Sequence, residues 1–285
     1  MPRSGDDGGM HYAIDIAPLG PLADPLTIAD LGRAAEAAGW DGLSIWDSLG
    51  VGMGTYAADP FVALAAVAAA TTRLRLILCV AVLSRRRPQL VAQSAGTVDR
   101  LSGGRFVLGV GAGGDPGDLE LFGEGAPIGE LVERTDAALS VIEPWLRGEA
   151  AQLAGEGAAP VVVGPESIQR PRPPIWFGGM KPAAMRRAAR LEGWSLVGTT
   201  EDGSGMALTP ADVGARVERV RMERQTLGLD EPFDISLLAR SDTIPRGEVE
   251  AFREAGVTWW LESLSPMRAP LDELRRVIEA GPPQD

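Results

Sequence analysis

Short apolar segments alternate with amphipathic ones eight times along this chain, and that rhythm constrains the fold more than any single motif. Continuous apolar runs bounded by turn residues are the mark of strands buried on both faces of a parallel sheet, and each parallel step needs a crossover helix to return the chain. Strands are expected at 11–17, 42–46, 74–80, 106–110, 175–177, 194–197, 233–238 and 257–261, with helices at 27–38, 60–70, 88–101, 130–146, 182–191, 210–227, 246–255 and 269–280. Eight βα units in 285 residues point to an α/β fold, a single closed (β/α)8 TIM barrel, rather than an open doubly wound sheet. Residues 1–9, polar and glycine-rich, read as a disordered leader, and 10–285 as one barrel domain. The alternation is interrupted between the fourth helix and the fifth strand. There 148–174, rich in Gly, Ala and Pro, reads as an irregular excursion: a lid, a partner surface or a tolerated insertion.

Composition narrows the function. Hydrophobic residues make up 45% and charged residues 23%, a globular balance, and no apolar run reaches the roughly 20 residues of a membrane span. No membrane association and a cytoplasmic location are expected. A net charge of −12 argues against nucleic acid as a partner, since phosphate neutralisation needs a basic face and the densest cluster is Arg85-Arg86-Arg87, a local anion site at most. The single cysteine, Cys79, lies within an apolar strand and reads as a buried structural thiol rather than a nucleophile. The single histidine, His11, opens the first strand and reads as a solvated or core residue, so no His-rich metal site and no Ser/His/Asp triad is expected.

In a barrel of this kind the working face lies where strands end and helices begin. That rule selects Asp15, Asp47 and Ser48 among others; Asp15 and the neighbouring Trp46 are expected to shape a substrate pocket, and Asp47 and Ser48 are the acid/base candidates. Asp47 with Glu262 would be a carboxylate pair of the kind glycosidases use. The run Gly109-Val110-Gly111-Ala112-Gly113-Gly114 reads either as a flexible loop or as a place where a flat ring or anion lies against backbone. The run Gly178-Gly179-Met180-Lys181 leads into a helix with Pro182 in its first turn. Free N–H groups there, together with the only lysine in the chain, favour a phosphate, the alternative being a tight turn at a helix start.

Two blocks, RRPQLVAQSAGTVDRLSGGRFVLGVGAGG and RPPIWFGGMKPAAMRRAARLEGWSLVG, resemble the third-to-fourth and fifth-to-sixth strand regions of the luciferase-like monooxygenase superfamily, the flavin- and deazaflavin-dependent barrels that include bacterial luciferase. The resemblance implies a redox cofactor, FMN or alternatively coenzyme F420, at the carboxyl ends of the strands, with its phosphate near the start of the fifth helix. It implies a non-prolyl cis peptide at the end of the third strand; counting back from Pro88, the matching bond is Leu78-Cys79. Cys79 and Val80 then back the ring, and Gly111, Ala112 and Gly113 approach it from the next loop. Arg134, in ERTDAAL, resembles an arginine that some members aim at the phosphate. The chain departs from the family at two familiar acid/base positions: Ser48 stands where several members have histidine, and Gly114 where deazaflavin-dependent dehydrogenases have glutamate. The function implied is hydride transfer to, or monooxygenation of, a small-molecule substrate by a homodimer. The alternative is a barrel that binds flavin or another ligand without turnover, as a sensor or partner subunit.

Overall fold

The computed structural model describes residues 9–113, 116–152 and 159–283. The expected leader lies outside them except for Gly9, as does Gly114. Eight parallel strands close into one barrel in chain order, the last pairing with the first. They are β1 (His11–Ile16), β2 (Gly42–Ile45), β3 (Arg75–Val82), β4 (Phe106–Gly111), β5 (Ile175–Gly178), β6 (Gly193–Val197), β7 (Asp234–Ala239) and β8 (Trp259–Leu264). Around them lie α1 (Pro25–Ala37), α2 (Pro60–Ala70), α3 (Pro88–Leu101), α4 (Pro116–Leu121), α5 (Ile128–Leu146), α6 (Pro182–Ala188), α7 (Pro210–Leu227), α8 (Glu248–Glu254) and α9 (Leu271–Glu279).

The helices begin where local chemistry favours a start. Proline, which has no N–H to leave unsatisfied, stands at the beginning of α1, α2, α3, α6 and α7. Asp24 and Asp59 accept hydrogen bonds from the free N–H groups of α1 and α2, and Thr209 with Asp212 forms a capping box on α7. The sequence reading has no counterpart to α4. Six residues opening on Pro-Gly carry too little periodicity to be read as a helix.

Side-chain alternation divides the core into two layers. One face of each strand packs against the helices. The other fills the barrel with Ala13, Ile77, Val107, Trp176, Trp259 and Leu261, where the Trp176 and Trp259 rings tilt together at 5.9 Å. The Trp176 plug depends on Gly193, where a methyl group would lie 2.2 Å from Cδ1 of the indole.

Strand β3 is the irregular one. Leu78 pairs with Leu108 and Ala81 with Val110, so Cys79 and Val80 together face the single residue Gly109. The non-prolyl cis peptide is Cys79-Val80, which corrects the expected Leu78-Cys79 by one residue. Counting back from Pro88 misplaces it because β3 runs to Val82 and a 3-10 turn, Leu83–Arg85, intervenes. The excursion 148–174 leaves α5 and enters β5, so it begins and ends at the amino end of the barrel. Its residues Gln169, Arg170 and Arg172 line a cleft there, and the part described is no lid over the carboxyl end.

Gly193→Ala is expected to destabilise the fold by about 1–3 kcal/mol through overpacking against Trp176, read as a lowered midpoint in urea denaturation.

Candidate active site

A cavity of about 760 Å³ opens at the carboxyl ends of the strands. Its walls are mostly apolar, including Val80, Ile128, Val132, Phe177, Met180 and Leu196, with a few polar groups set among them. Strands β1 and β5 stand opposite each other in an eight-stranded ring, and the cavity is polarised across that diameter. Asp15 sits on the β1 side, and Lys181 and Arg187 follow β5.

Asp15 is buried at 1% exposure, and no cation pairs with it among the described residues. The Trp46 indole N–H donates to Asp15 Oδ2. Burial pushes the carboxyl up from 3.8 to about 7, against the smaller opposing pull of Ser44 and Trp46. It is therefore a carboxylic acid below neutral pH and a carboxylate above it. Cys79 also lines the cavity, and burial pushes its thiol up to about 12, so it stays protonated and is no nucleophile at neutral pH. Beyond it the Ser195 and Ser236 hydroxyls share a 2.8 Å hydrogen bond inside the barrel.

The glycines of the two loops have a packing reason. A methyl group at Gly109 would lie 2.3 Å from the Leu78 carbonyl oxygen, and one at Gly111 or Gly178 would lie 2.9 Å from a Val80 methyl. The bulge of β3 thus occupies the room those residues leave. Gly111, Ala112, Gly113, Gly178, Gly179, Met180 and Lys181 all line the cavity. The Trp194 indole donates to the Gly179 carbonyl at 2.8 Å, and the Gly179 N–H donates to Ser195 O at 3.2 Å, which fixes the approach to α6.

Other expected residues lie elsewhere. Leu78 is fully buried in the layer between strands and helices. Arg134 is partly exposed on α5, paired with Glu130 at 2.6 Å. Asp47 does not line the cavity. Its Oδ1 accepts from Arg85 and Arg86 at 2.8 Å each, and its Oδ2 accepts from Arg86 Nε at 2.7 Å and Val82 N at 2.9 Å. Burial raises its pKa, but the Arg86 and Arg85 guanidiniums outweigh that and hold the carboxyl below 3.8. Arg85 also reaches Asp118 of α4 at 3.5 Å, and Asp118 holds the N–H groups of Leu49 and Gly52 and the Ser48 hydroxyl. Arg85 and Arg86 of the arginine cluster are thus satisfied by the protein's own carboxylates. Glu262 is bound separately, to Arg268, the Trp260 indole and Ser241 N, so it and Asp47 are committed to different partners.

Ile128, Val132, Arg187 and Ser195 line the cavity but were not among the residues singled out from sequence. The i, i+4 spacing of Ile128 and Val132 on α5 was the available signal. Arg187 is held by Asp136 through bonds of 2.8 and 2.7 Å that tie α6 to α5.

A closed parallel barrel with a polarised cavity at the strand carboxyl ends defines a (β/α)8 enzyme. The chain belongs to the luciferase-like monooxygenase family, whose model matches residues 8–272, a family of flavin- or F420-dependent oxidoreductases and monooxygenases. Uncharacterised proteins of Mycobacterium tuberculosis and Mycobacterium bovis are each 32% identical over 250 residues, covering 80% of this chain and 81% of theirs. Among solved structures, the monooxygenase RslO1 from Streptomyces bottropensis matches with a TM-score of 0.76 at 18% identity, covering 95% of this chain and 97% of that one. An F420-dependent secondary alcohol dehydrogenase, in complex with an F420-acetone adduct, matches with a TM-score of 0.76 at 15% identity, covering 97% and 100%. These two likenesses show the fold. No described helix is long and apolar enough to cross a membrane.

Asp47→Asn is expected to cost about 3 kcal/mol, because it removes the carboxylate that Arg85 and Arg86 share and leaves them only the longer contacts with Asp118 at 3.5 Å and Asp59 at 3.3 Å. Asp47 has a depressed pKa, so its contribution is present above 3.8 and is lost as pH falls through the lower folded value. Urea denaturation of both proteins should show the difference shrinking below about pH 4.

Proposed function

We propose that the cavity holds a flavin-type redox cofactor and that the protein exchanges hydride with a small, largely apolar carbonyl or alcohol substrate. The observation that carries this reading is Asp15, a buried carboxyl at the pocket wall that changes protonation near neutrality. The residues present fit such a cofactor. Val80 and Met180 offer apolar surface for a flat ring, and the Lys181 ammonium, with no partner among the described residues, offers positive charge for a phosphate. When bound, that group supplies the two-electron chemistry.

The chain's own residues do the rest. Val80, presented by the β3 bulge, and the backbone of Gly111–Gly113 shape one wall, while Trp194 holds the Gly179 loop that carries Lys181. The apolar walls exclude water from the reacting centre. Asp15, oriented by the Trp46 N–H, holds a proton on its carboxyl below about pH 7 and gives it to the oxygen of a carbonyl substrate. In the reverse direction the carboxylate takes the proton of an alcohol. Ser48 and Asp47 have no part in this step, since both are engaged in the loop contacts described above. Monooxygenation is the second reading, favoured by FMN as cofactor, and it takes the same ring site.

Titration with FMN and with coenzyme F420, followed by turnover of a carbonyl and alcohol panel, tests the proposal. Saturable F420 binding with substrate-dependent hydride transfer supports the first reading. FMN binding alone with oxygen consumption supports the second. Binding without turnover overturns both in favour of a non-catalytic barrel.

Asp15→Asn is expected to lower the turnover number about 10²–10⁴-fold and to remove an inflection near pH 7 from the pH–rate profile. Carbonyl reduction should fall above that inflection in the unaltered enzyme, and alcohol oxidation should rise. A second readout is independent of turnover. A carboxyl whose folded pKa is raised contributes most below its unfolded value and loses that contribution as pH rises to the folded value, so Asp15→Asn should gain relative stability between about pH 4 and 7.

A homodimer is proposed on the second and third units, where α2 exposes Val62 and α3 exposes Leu90. Light scattering on the purified protein reads its mass, and a monomer at micromolar concentration would end this proposal.

A further inference from the structure

At the amino end of the barrel, opposite the active-site cavity, lies a second cavity of about 680 Å³. It is framed by the starts of β3, β6 and β7 and by the end of the 148–174 excursion. Its lining is rich in arginine in a chain whose net charge is −12. Three of these guanidiniums are already engaged. Arg172 bridges Glu143 and Glu192 at 2.7 Å each, and Arg170 pairs with Glu166 at 3.2 Å. Arg224 donates to the carbonyls of Ala189, Leu191 and Glu231 and lies 4.5 Å from the Phe233 ring centroid.

Arg75 and Arg190 are different. Neither side chain has a hydrogen-bond or ion-pair partner among the described residues, and both line the same cleft. Arg75 is the first residue of β3, on the same strand face as the inward-pointing Ile77, so it stands at the floor of the barrel. The acids whose charge reaches it are Asp234 and Asp99, and both are bonded elsewhere. Asp99 accepts from Ile168 N, Gln169 N and Gln169 Nε2, and Asp234 accepts from the Thr258 hydroxyl. A largely desolvated guanidinium without a bonded counter-ion is unfavourable, and burial accordingly lowers the Arg75 pKa. The planar fork of an arginine suits an oxyanion, and Ile168, Leu191 and Leu229 supply apolar wall beside it.

We propose that this cleft binds a small organic oxyanion, a phosphate monoester or a carboxylate carried on an apolar body, through Arg75 and Arg190. The site is separate from the cofactor cavity, so its occupant is a second ligand of the same chain.

Calorimetric titration with phenyl phosphate and with benzoate, against benzyl alcohol as the uncharged control, tests it. Saturable binding of at least one anion and none of benzyl alcohol is expected, and the stronger anion tells phosphate from carboxylate. Arg75→Gln should weaken that binding at least about tenfold and Arg190→Gln about threefold, while Lys181→Gln, at the other end of the barrel, leaves it unchanged. Circular dichroism establishes that each variant is folded, and Arg190→Gln, altering an exposed side chain, keeps the test open should Arg75→Gln fail to fold. Binding that survives both arginine substitutions, binding that is lost in Lys181→Gln, or the absence of saturable binding would overturn the proposal.

Discussion

Two arginines converging on one buried carboxylate hold the turns at the carboxyl end of this barrel together. Asp47 follows β2, Arg85 and Arg86 follow β3, and four hydrogen bonds of 2.7–2.8 Å from the two guanidiniums to Asp47, three to its carboxylate and one to its backbone carbonyl, lock those turns to each other. Arg85 extends the clamp to Asp118, and Asp118 ties α4 to the loop after β2. Removing the Asp47 carboxylate would take from both guanidiniums their shortest ion pair and leave only the longer ones to Asp118 and Asp59.

The clamp matters for the site because it anchors the strand that carries the bulge. Val82 donates its N–H to Asp47 just beyond Cys79 and Val80, and those two residues project against Gly109, Gly111 and Gly178. A rigid apolar shelf results, facing a pocket with an acid on one side and positive charge on the other. The division of labour follows from burial. The carboxyl that meets arginine is held below its ordinary pKa, whereas Asp15, with no cation paired to it among the described residues, is pushed up to about 7 by burial.

Much of this was legible in the chain itself. The eight strands and the helices from Pro60, Pro88 and Pro210 follow from apolar periodicity and from proline at helix starts, both local signals. The glycines after β4 and β5 line the cavity, and two of them, Gly111 and Gly178, also leave room for the chain's own Val80, a contact that no local sequence signal carries. Ser48 and Asp47 followed β2 as a working-face rule requires, but that rule knows only position along the strand and not which partner a side chain finds. Helix α4 is not legible because six residues carry no period, and the cis bond lies one residue later than the expected Leu78-Cys79 because the length of a turn is not written in its composition.

The sequence by itself determined the class of fold and the family, because strand alternation, helix starts and two contiguous motif blocks are properties of neighbouring residues. Only the tertiary structure decided which charges are spent and which remain. Asp47 lies 38 and 39 residues from the arginines that claim it, Asp15 lies 31 from the indole that orients it, and Arg75 is left without a bonded acid among the described residues at the far pole. Ionisation depends on burial and on partners within a few ångströms, and closing the barrel is what sets both.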